Sequence, residues 1–570
     1  MIILAATALA FYQCAKPGAP TGGPKDETPP RVLMETPPNH SIHFEVKKVT
    51  ITFDEFITLK DPAKEIFISP PMRNKPEFKT KGKRVVIEFK EDFRPDATYT
   101  LNFGNAITDF TEGNSLVNYE YVFSTGDHID SLFISGRVLN AFDHKPGEGI
   151  IAMVYTNDND TLALDSLPLY VPPKSASRTL KDGSFRINNL PPGEYLLFAL
   201  EDMNNNYIFD LPNEKIAFLD SLVTLDPPES APVPPPDFPD SVLLEPPALQ
   251  ITRDESYVMY LFEERDTAQK LLSKTLINSN HLRYIFQRPA GPVGISLADD
   301  DTTKDSWYIP EFTRMRDTLD LYLLPWLPDT IRVALSAGAS VSDTTRFIRS
   351  RATPGQMPLR RRDARPNPLN INSNLKGGVF DIEREFRFIF PLPLTAYDTA
   401  KIFLAFEGDT LNPPLYFTDA IRRTVVLDHP LQPGESYRVT ALDLAFTDLT
   451  GRVNDSTSFH FRVRTPADYG QLVMNISLPE KSGQYIIQLM TDKEVVLREM
   501  IITQPGPLAF KNLMPGKYKL KAIADWNANG IWDTGRYRQK LLPEPVEYLP
   551  ASITIRANWD LVEEWAVGIK

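Results

Sequence analysis

Two stretches of the chain carry side chains whose type and spacing suit a hard cation. Asp202, Asn204, Asn206 and Asp210 stand at relative positions 1, 3, 5 and 9, and Asp525, Asn527, Asn529 and Asp533 repeat that spacing, with Gly530 at position 6. Oxygen ligands on alternate residues, with a glycine for the sharp turn, are how a short loop wraps Ca²⁺. Only two ligands per loop are charged, Tyr207 takes the glycine place in the first loop, and Asn213 and Arg536 stand at position 12 instead of Glu. Any calcium affinity therefore falls in the weak extracellular range, ~10⁻⁴–10⁻³ M. The alternative is a metal-free loop in which Asn and Asp side chains bond their own backbone. Under either reading the loops are structural.

Nothing else in the sequence assembles a catalytic site, and the expectation is that the protein is not an enzyme. HExxH, GxSxG and GxxxxGK[ST] do not occur. Of the seven histidines, only His40 and His43 are close together, and no third ligand lies nearby in sequence. Asp143-His144 and Asp428-His429 precede Lys-Pro and Pro, which is turn chemistry. The acidic runs Asp299-Asp300-Asp301 and Glu263-Glu264 read as solvated faces. Trp307, Trp326 and Trp526 are candidates for stacking on sugar or peptide, with core or edge packing as the competing role. An Arg-rich stretch at 346–368 includes Arg360, Arg361, Arg362 and Arg365. It reads as a solvated loop or as a basic patch for an acidic partner or lipid phosphates.

The one cysteine, Cys14, excludes a disulfide within the chain and a cysteine-based zinc site. It follows Met1–Tyr12, an apolar, uncharged run too short to span a bilayer. A Gly/Pro-rich polar stretch, AKPGAPTGGPKDETPP, comes next and suits a flexible tether. A lone Cys after such a run resembles the bacterial lipoprotein signal, which implies cleavage and a lipidated Cys14. On that resemblance residues 1–13 are a signal segment and 14–27 a lipidated tether. The net charge of −13 leaves no global basic field for nucleic acid.

The elements that would hold these residues are mainly strands. Proline is abundant, 51 of 570 residues, and it breaks helices and central strands, favouring short strands, turns and linkers. Val49, Ile51 and Phe53 alternate with Lys48, Thr50 and Thr52; Val85, Ile87 and Phe89, then Phe386, Phe388 and Phe390, then Phe459, Phe461 and Val463 do the same. Period two over five or more residues predicts half-buried strands. The best helical stretch is Arg265–Lys274, a short helix or a strand connection. Residues 226–247 are a Pro-rich linker of polyproline II character and 346–368 an Arg-rich linker.

An internal repeat orders the rest. GSFRINNLPPGEYLLFALEDMNNNYIFD, from Gly183, matches GPLAFKNLMPGKYKLKAIADWNANGIWD, from Gly506, without a gap. A weaker repeat lies upstream of each: Pro95, Tyr99, Thr108-Asp109 and Thr125 against Pro433, Tyr437, Thr447-Asp448 and Thr465. The plan is a sandwich followed by a smaller β domain, twice, with a further β segment between the copies.

Thr28–Thr125, with TPPRVLMETPP, VTITF, IFISPP, PDATYTL and TDFTEGN before YVFST, resembles a bacterial Ig-like domain. ISGRVLN and DGSFRINNLPPGEYLLFAL resemble prealbumin-like modules of the carboxypeptidase regulatory type. The resulting fold class is all-β: tandem Ig-like β-sandwiches and smaller prealbumin-like β-sandwich modules. The domains are Ig-like at 28–127, prealbumin-like at 128–225, an unassigned β domain at 248–345, a second Ig-like domain at 369–466 and a second prealbumin-like domain at 467–570. With its N-terminal region the chain resembles Ig-like-domain outer-membrane lipoproteins of the Bacteroidota. That resemblance implies a lipid-anchored scaffold of the outer membrane, on the cell-surface face, docking on a β-barrel machine for assembly or transport. The other readings are a surface protein binding carbohydrate or peptide, and a hydrolase with its site in 248–350.

Overall fold

The computed structural model describes residues 26–156, 162–226, 256–266, 268–298, 307–338, 341–349, 368–479 and 483–569. Cys14, most of the tether, most of the Pro-rich linker, and Arg360, Arg361, Arg362 and Arg365 lie outside the described residues. The fold is all-β, and the few helices described are single turns. The chain forms two compact units, one of residues 1–265 with 523–546, the other of 266–522 with 547–570.

In the first unit, Val32–Thr36, Lys48–Phe53, Arg84–Glu88 and Glu77–Lys81 form a four-stranded sheet in that spatial order. Phe67–Ser69, Thr98–Asn102 and Glu120–Ser124 form a second sheet, with Thr98–Asn102 central. The alternating residues Val49, Ile51, Phe53, Val85 and Ile87 meet Tyr99, Leu101, Tyr121 and Phe123 in one core. Burying each such side chain contributes roughly 1.5–3 kcal/mol, so the period-two pattern fixes which face turns inward.

The small module that follows is built on Leu132–Asn140, paired antiparallel with Ser184–Leu190 and parallel with Ser256–Glu263. Ser175–Arg178, Ile151–Tyr155, Gly193–Glu201 and Lys215–Phe218 continue the same sheet, joined where Lys215–Phe218 pairs with Ser256–Glu263. Gly136 is needed where Leu132–Asn140 passes under its neighbours: a Cβ there would sit 2.1 Å from the Tyr257 carbonyl oxygen and 2.9 Å from the Phe185 ring. Ser256–Glu263 lies beyond the Pro-rich linker, so this module takes in a strand that the sequence boundary at 248 assigned to the next domain. The cause is an insertion. In the second copy the corresponding strands, Ile553–Ile555 and Asp560–Ala566, almost touch in sequence.

Of the two readings of 265–274, a short helix or a strand connection, the described residues fit the second. In the second unit, Leu271–Asn278 is a strand, hairpinned to His281–Phe286 through Ser279-Asn280. It forms a four-stranded sheet with Thr318–Leu323 and Tyr308–Phe312, while Val293–Leu297, Thr330–Ala337 and Val341–Ile348 form a three-stranded one. Both contribute to one core around Tyr284, Leu321 and Val333, so the unassigned segment is a further β-sandwich. Phe386, Phe388, Phe390, Phe446 and Phe461 centre the next sandwich. The last module repeats the first small one: Gly470–Ser477 pairs antiparallel with Gly506–Leu513 and parallel with Asp560–Ala566.

The repeat is visible in individual bonds. The Tyr99 and Tyr437 hydroxyls each accept a backbone N–H five residues upstream, from Arg94 and Gln432, at 2.8 Å. Tyr195 and Tyr518 donate to the carbonyls of Pro191 and Met514. These tie the turn before a strand to the strand itself, the logic of a tyrosine corner. Asp109 accepts from the N–H groups of Glu112, Gly113 and Asn114, and Asp448 from those of Thr450 and Arg452. Burial would raise the Asp109 carboxyl, but those N–H bonds prevail and hold it below its usual range.

Candidate functional site

Both acidic-amide loops are closed by their own side chains. In the first, Asn206 and Tyr207 donate backbone N–H groups to Asp202 at 3.3 and 2.8 Å. The amide nitrogens of Asn204 and Asn206 donate to Asp210 at 3.0 and 2.9 Å. The second loop repeats this: Asn529 and Gly530 N–H to Asp525, and the Asn527 and Asn529 amides to Asp533. Tyr207 takes φ +63° where the second copy has Gly530 at +79°. The first loop thus places a tyrosine in backbone usually left to glycine, and its ring packs edge-on to Phe67 at 6.2 Å. In both loops Asp side chains cap nearby backbone and Asn amides bridge to the second Asp. Among the described residues, no group of three or more His, Cys, Asp or Glu side chains is placed to share a metal.

Each loop has a keystone the sequence reading missed. Glu214 is fully buried and accepts the N–H groups of Met203, Asp210 and Leu211 at 3.0–3.1 Å. Glu544 does the same for Trp526 and Asp533, at 2.8 and 2.9 Å. Burial raises the Glu544 carboxyl, partly opposed by those N–H bonds. The sequence signal was a Glu just before each loop returns to a strand, one residue past position 12 in the first copy and further on in the second.

Residues 523–546 fold into the first unit, so both loops belong to it. Tyr537 is buried among Phe198, Phe209 and Phe218, edge to face at 5.3–6.0 Å. Its hydroxyl donates to the Asp165 carbonyl, and its N–H to the Glu264 carboxylate. Glu264 had read as part of a solvated acidic pair; its carboxylate instead caps a contact between chain segments. Trp532 packs against Phe142 with the rings tilted at 56° and 4.9 Å apart, and donates Nε1–H to the Glu544 carbonyl. Thr534 donates to the Glu263 carbonyl at 2.7 Å, and Lys540 pairs with Asp165.

Within the first unit a cleft of about 950 Å³ opens between the first sandwich and the small module. Asn102, Asn105 and Asn118 face it from the sandwich, and Ser177, Ser184 and Asn188 from the module. Ser177 Oγ and Arg178 Nε at its wall are buried with no hydrogen-bond partner. The joint is polar: the Asn189 amide donates to Thr100 Oγ1 at 2.6 Å, Ala176 N–H to Ser69 Oγ at 3.1 Å, and Arg178 to the Lys64 carbonyl at 3.1 Å.

The tryptophan candidates do not form one surface. Trp307 is buried in the core of the middle sandwich, while Trp326 and Trp526 are about half exposed. His40 and His43 take left-handed backbone and donate their N–H groups to the Val122 and Gly126 carbonyls, which makes them turn residues.

In the second unit buried His281 and Asp320 form a cluster with Arg283, whose side chain is 40% exposed. Asp320 receives His281 at 2.8 Å and two Arg283 bonds at 2.7 and 2.9 Å. Burial would raise its carboxyl, but the bonds from His281 and Arg283 prevail and hold it at about 2, from an ordinary 3.8. The folded value is depressed, so this stabilisation is complete above about pH 4 and is lost as pH falls through about 2. It amounts to about 2 kcal/mol. Urea unfolding at stepped pH is expected to show a steeper loss of stability between pH 4 and 2 in the native chain than in Asp320→Asn. Next to it, Arg423 donates to Glu311 at 2.7 Å, to the Tyr322 hydroxyl and to the Phe390 carbonyl, joining the middle sandwich to the one after it.

Residues 26–125 match the family model of the bacterial Ig-like domain. Tyr99, Asp109 and the cleft wall Asn102–Asn118 all lie in this Ig-like domain. No curated protein matches the chain. Among solved structures the chain is similar to SGBP-B of the Bacteroides ovatus mixed-linkage glucan utilization locus, solved with a mixed-linkage heptasaccharide. The identity is 11% and the TM-score 0.20, over 74% of this chain and 94% of that one. It is also similar to BcpA, the major pilin subunit of Bacillus cereus, at 9% identity and TM-score 0.14, over 77% of this chain and all of that one.

Proposed function

We propose that the chain is a non-enzymatic scaffold of the bacterial outer membrane, anchored by lipid at Cys14, whose β modules hold an envelope partner at fixed geometry. The repeated joint carries this reading. Asn189 and Asn512 occupy equivalent left-handed corners, at φ +58° and +54°. Each reaches the sandwich before it, Asn189 at Thr100 and Asn512 at Glu383. Each sandwich is thereby bridged to its small module by the same asparagine, an arrangement that supports presentation of a surface. A tether of this length and composition would give a reach of roughly 20 Å, and the cell-surface face is the side it would serve. Stable anchoring needs more than one acyl chain, as the lipoprotein signal implies. The partner is an outer-membrane β-barrel protein of an assembly or transport machine. The test is a mild-detergent pull-down of the tagged full chain from native membranes, with fatty-acid labelling. Labelled chain and a stoichiometric β-barrel, both lost in Cys14→Ala, are expected; an unlabelled chain or recovery of the chain alone overturns the reading.

The polar cleft, lined by amides and hydroxyls together with charged side chains such as Lys60, Glu65 and Arg186, favours a second reading, a surface protein binding an oligosaccharide or an extended peptide. Binding in a glycan or peptide screen that is lost with Asn105→Ala and Asn118→Ala would establish it.

A further inference from the structure

Both Ig-like sandwiches contain a two-stranded ribbon, and one end of it meets different surroundings in each. In the first, Ile57–Leu59 pairs antiparallel with Ile107–Asp109. In the second, Leu394–Tyr397 pairs with Phe446–Asp448, so that Thr447-Asp448 takes the place of Thr108-Asp109. Each ribbon closes with a backbone bond just past the aspartate. Phe110 N–H donates to the Phe56 carbonyl at 2.9 Å, and Leu449 N–H to the Pro393 carbonyl at 2.8 Å. In the second copy this end is covered: Leu449 is buried with Leu392 and Tyr322, beside Ile309 and Leu324 of the preceding sandwich. In the first copy it is open, with Phe56 and Phe110 61% and 74% exposed. Two large aromatics left in water at equivalent positions of a docking end need an occupant.

The chain that precedes the first copy says what the occupant is. Residues 15–25 separate Cys14 from Asp26, where the described chain begins. That beginning is fastened to the same end of the sandwich. The Asn114 amide donates to the Asp26 and Thr28 carbonyls at 2.8 and 3.4 Å, and the Asn114 carbonyl accepts the Asp109 N–H at 3.0 Å. Lys60, at the other end of the ribbon, borders the cleft toward the small module. A tether reaching roughly 20 Å therefore leaves from beside the phenylalanines.

We propose that this end of the first sandwich is a membrane-contact site, with Phe56 and Phe110 entering the headgroup–acyl boundary of a zwitterionic bilayer. The inference rests on the lipid anchorage at Cys14 proposed for the chain. Apolar rings favour that boundary, and the anchor raises their local concentration there, so a modest affinity suffices. Exposed Lys83, with Nζ 5.8 Å from the Phe56 ring centre, adds an ammonium for lipid phosphate. Asp26, Asp54, Asp109 and Glu112 lie close enough to Glu55 to repel its charge. That negative potential opposes an anionic lipid surface, which is why the bilayer is zwitterionic.

The test places an environment-sensitive fluorophore at Thr111→Cys in the acylated full chain in phosphatidylcholine vesicles, with Lys181→Cys as the reference position. A blue shift and quenching by brominated lipid are expected at 111 and not at 181. Phe56→Ser with Phe110→Ser is expected to abolish both signals, with fatty-acid labelling and circular dichroism unchanged. In a Cys14→Ser background the same shift is expected on titrating vesicles, and each single Phe→Ser change is expected to raise the lipid required roughly ten-fold. An unshifted label at 111 in an acylated chain overturns the proposal and leaves the anchor standing. A chain without an acyl group overturns the anchor, and the Cys14→Ser titration then decides the contact site: a shift sustains it and its absence overturns it. A label shifted before vesicles are added, or a shift indifferent to the double Phe variant, shows that protein covers this end and also overturns the proposal.

Discussion

Glu214→Ala is expected to destabilise the first unit by about 3–5 kcal/mol, measured by chemical denaturation. The side chain is fully buried and is the acceptor for three backbone N–H groups, those of Met203, Asp210 and Leu211. A neutral hydrogen bond contributes modestly to folding, but a donor stranded without its partner costs ~1–3 kcal/mol, and bonds to a charged acceptor sit at the upper end. Three donors are affected, and water reaching the opened loop recovers part of the loss. Glu214→Gln keeps one acceptor oxygen and is expected to cost less than half as much. Millimolar Ca²⁺ is expected to leave the Glu214→Ala loss unchanged, because Asp202 and Asp210 are bound by Asn204, Asn206 and the loop backbone. Rescue by Ca²⁺ would instead assign the loop a cation and restore the coordination reading of Asp202, Asn204, Asn206 and Asp210.

That loop shows what the sequence made legible and where local reading stopped. The alternation of Val49, Ile51 and Phe53, or of Phe386, Phe388 and Phe390, depends on burial of one sheet face, and burial leaves a period-two trace in any window. The gapless repeat after Gly183 and Gly506 exposed the small modules for the same reason: strand, turn and loop are contiguous. Ser256–Glu263 escaped because its partner Leu132–Asn140 lies more than a hundred residues upstream, with the Pro-rich linker between. Parallel pairing needs a long connection and leaves no local signal. The stretch 265–274 stayed open between a short helix and a strand connection because RDTAQKLLSK is rich in helix formers, whereas pairing of Leu271–Asn278 with His281–Phe286 overrides propensity. Glu214 and Glu544 were missed because a template for calcium loops looks at position 12, whereas these carboxylates answer to backbone geometry. Tyr537 carried no signal at all. Its partners Phe198, Phe209, Phe218 and Asp165 are contributed by a module more than three hundred residues away in the chain.

Tyr537→Ala is therefore the substitution expected to reveal most about how the first unit is assembled. The ring is 4% exposed and lies in the same core as Met153, Leu200 and Ile216. Removing a large aromatic from such a site costs the transfer free energy plus the cavity left behind, about 3–5 kcal/mol. Tyr537→Phe keeps the ring and loses only the bond to the Asp165 carbonyl, a loss of about 1 kcal/mol. The two variants separate packing from hydrogen bonding in one denaturation series. Locally, the Ala variant is also expected to loosen 523–546, which would then be held by the backbone N–H at 537 on Glu264, the Thr534–Glu263 bond, Trp532 against Phe142 and the Arg265–Asp533 and Lys540–Asp165 pairs. Exposed ion pairs such as these contribute ~0–1 kcal/mol, too little by themselves to retain a segment of that length. Limited trypsin digestion reads this directly, because Arg536, Arg538 and Lys540 flank the lost ring. Cleavage there in the Ala variant, with the Phe variant as resistant as the native chain, is the expected result. Equal resistance in all three would show that Trp532 on Phe142 and the Glu544 keystone hold the segment without Tyr537.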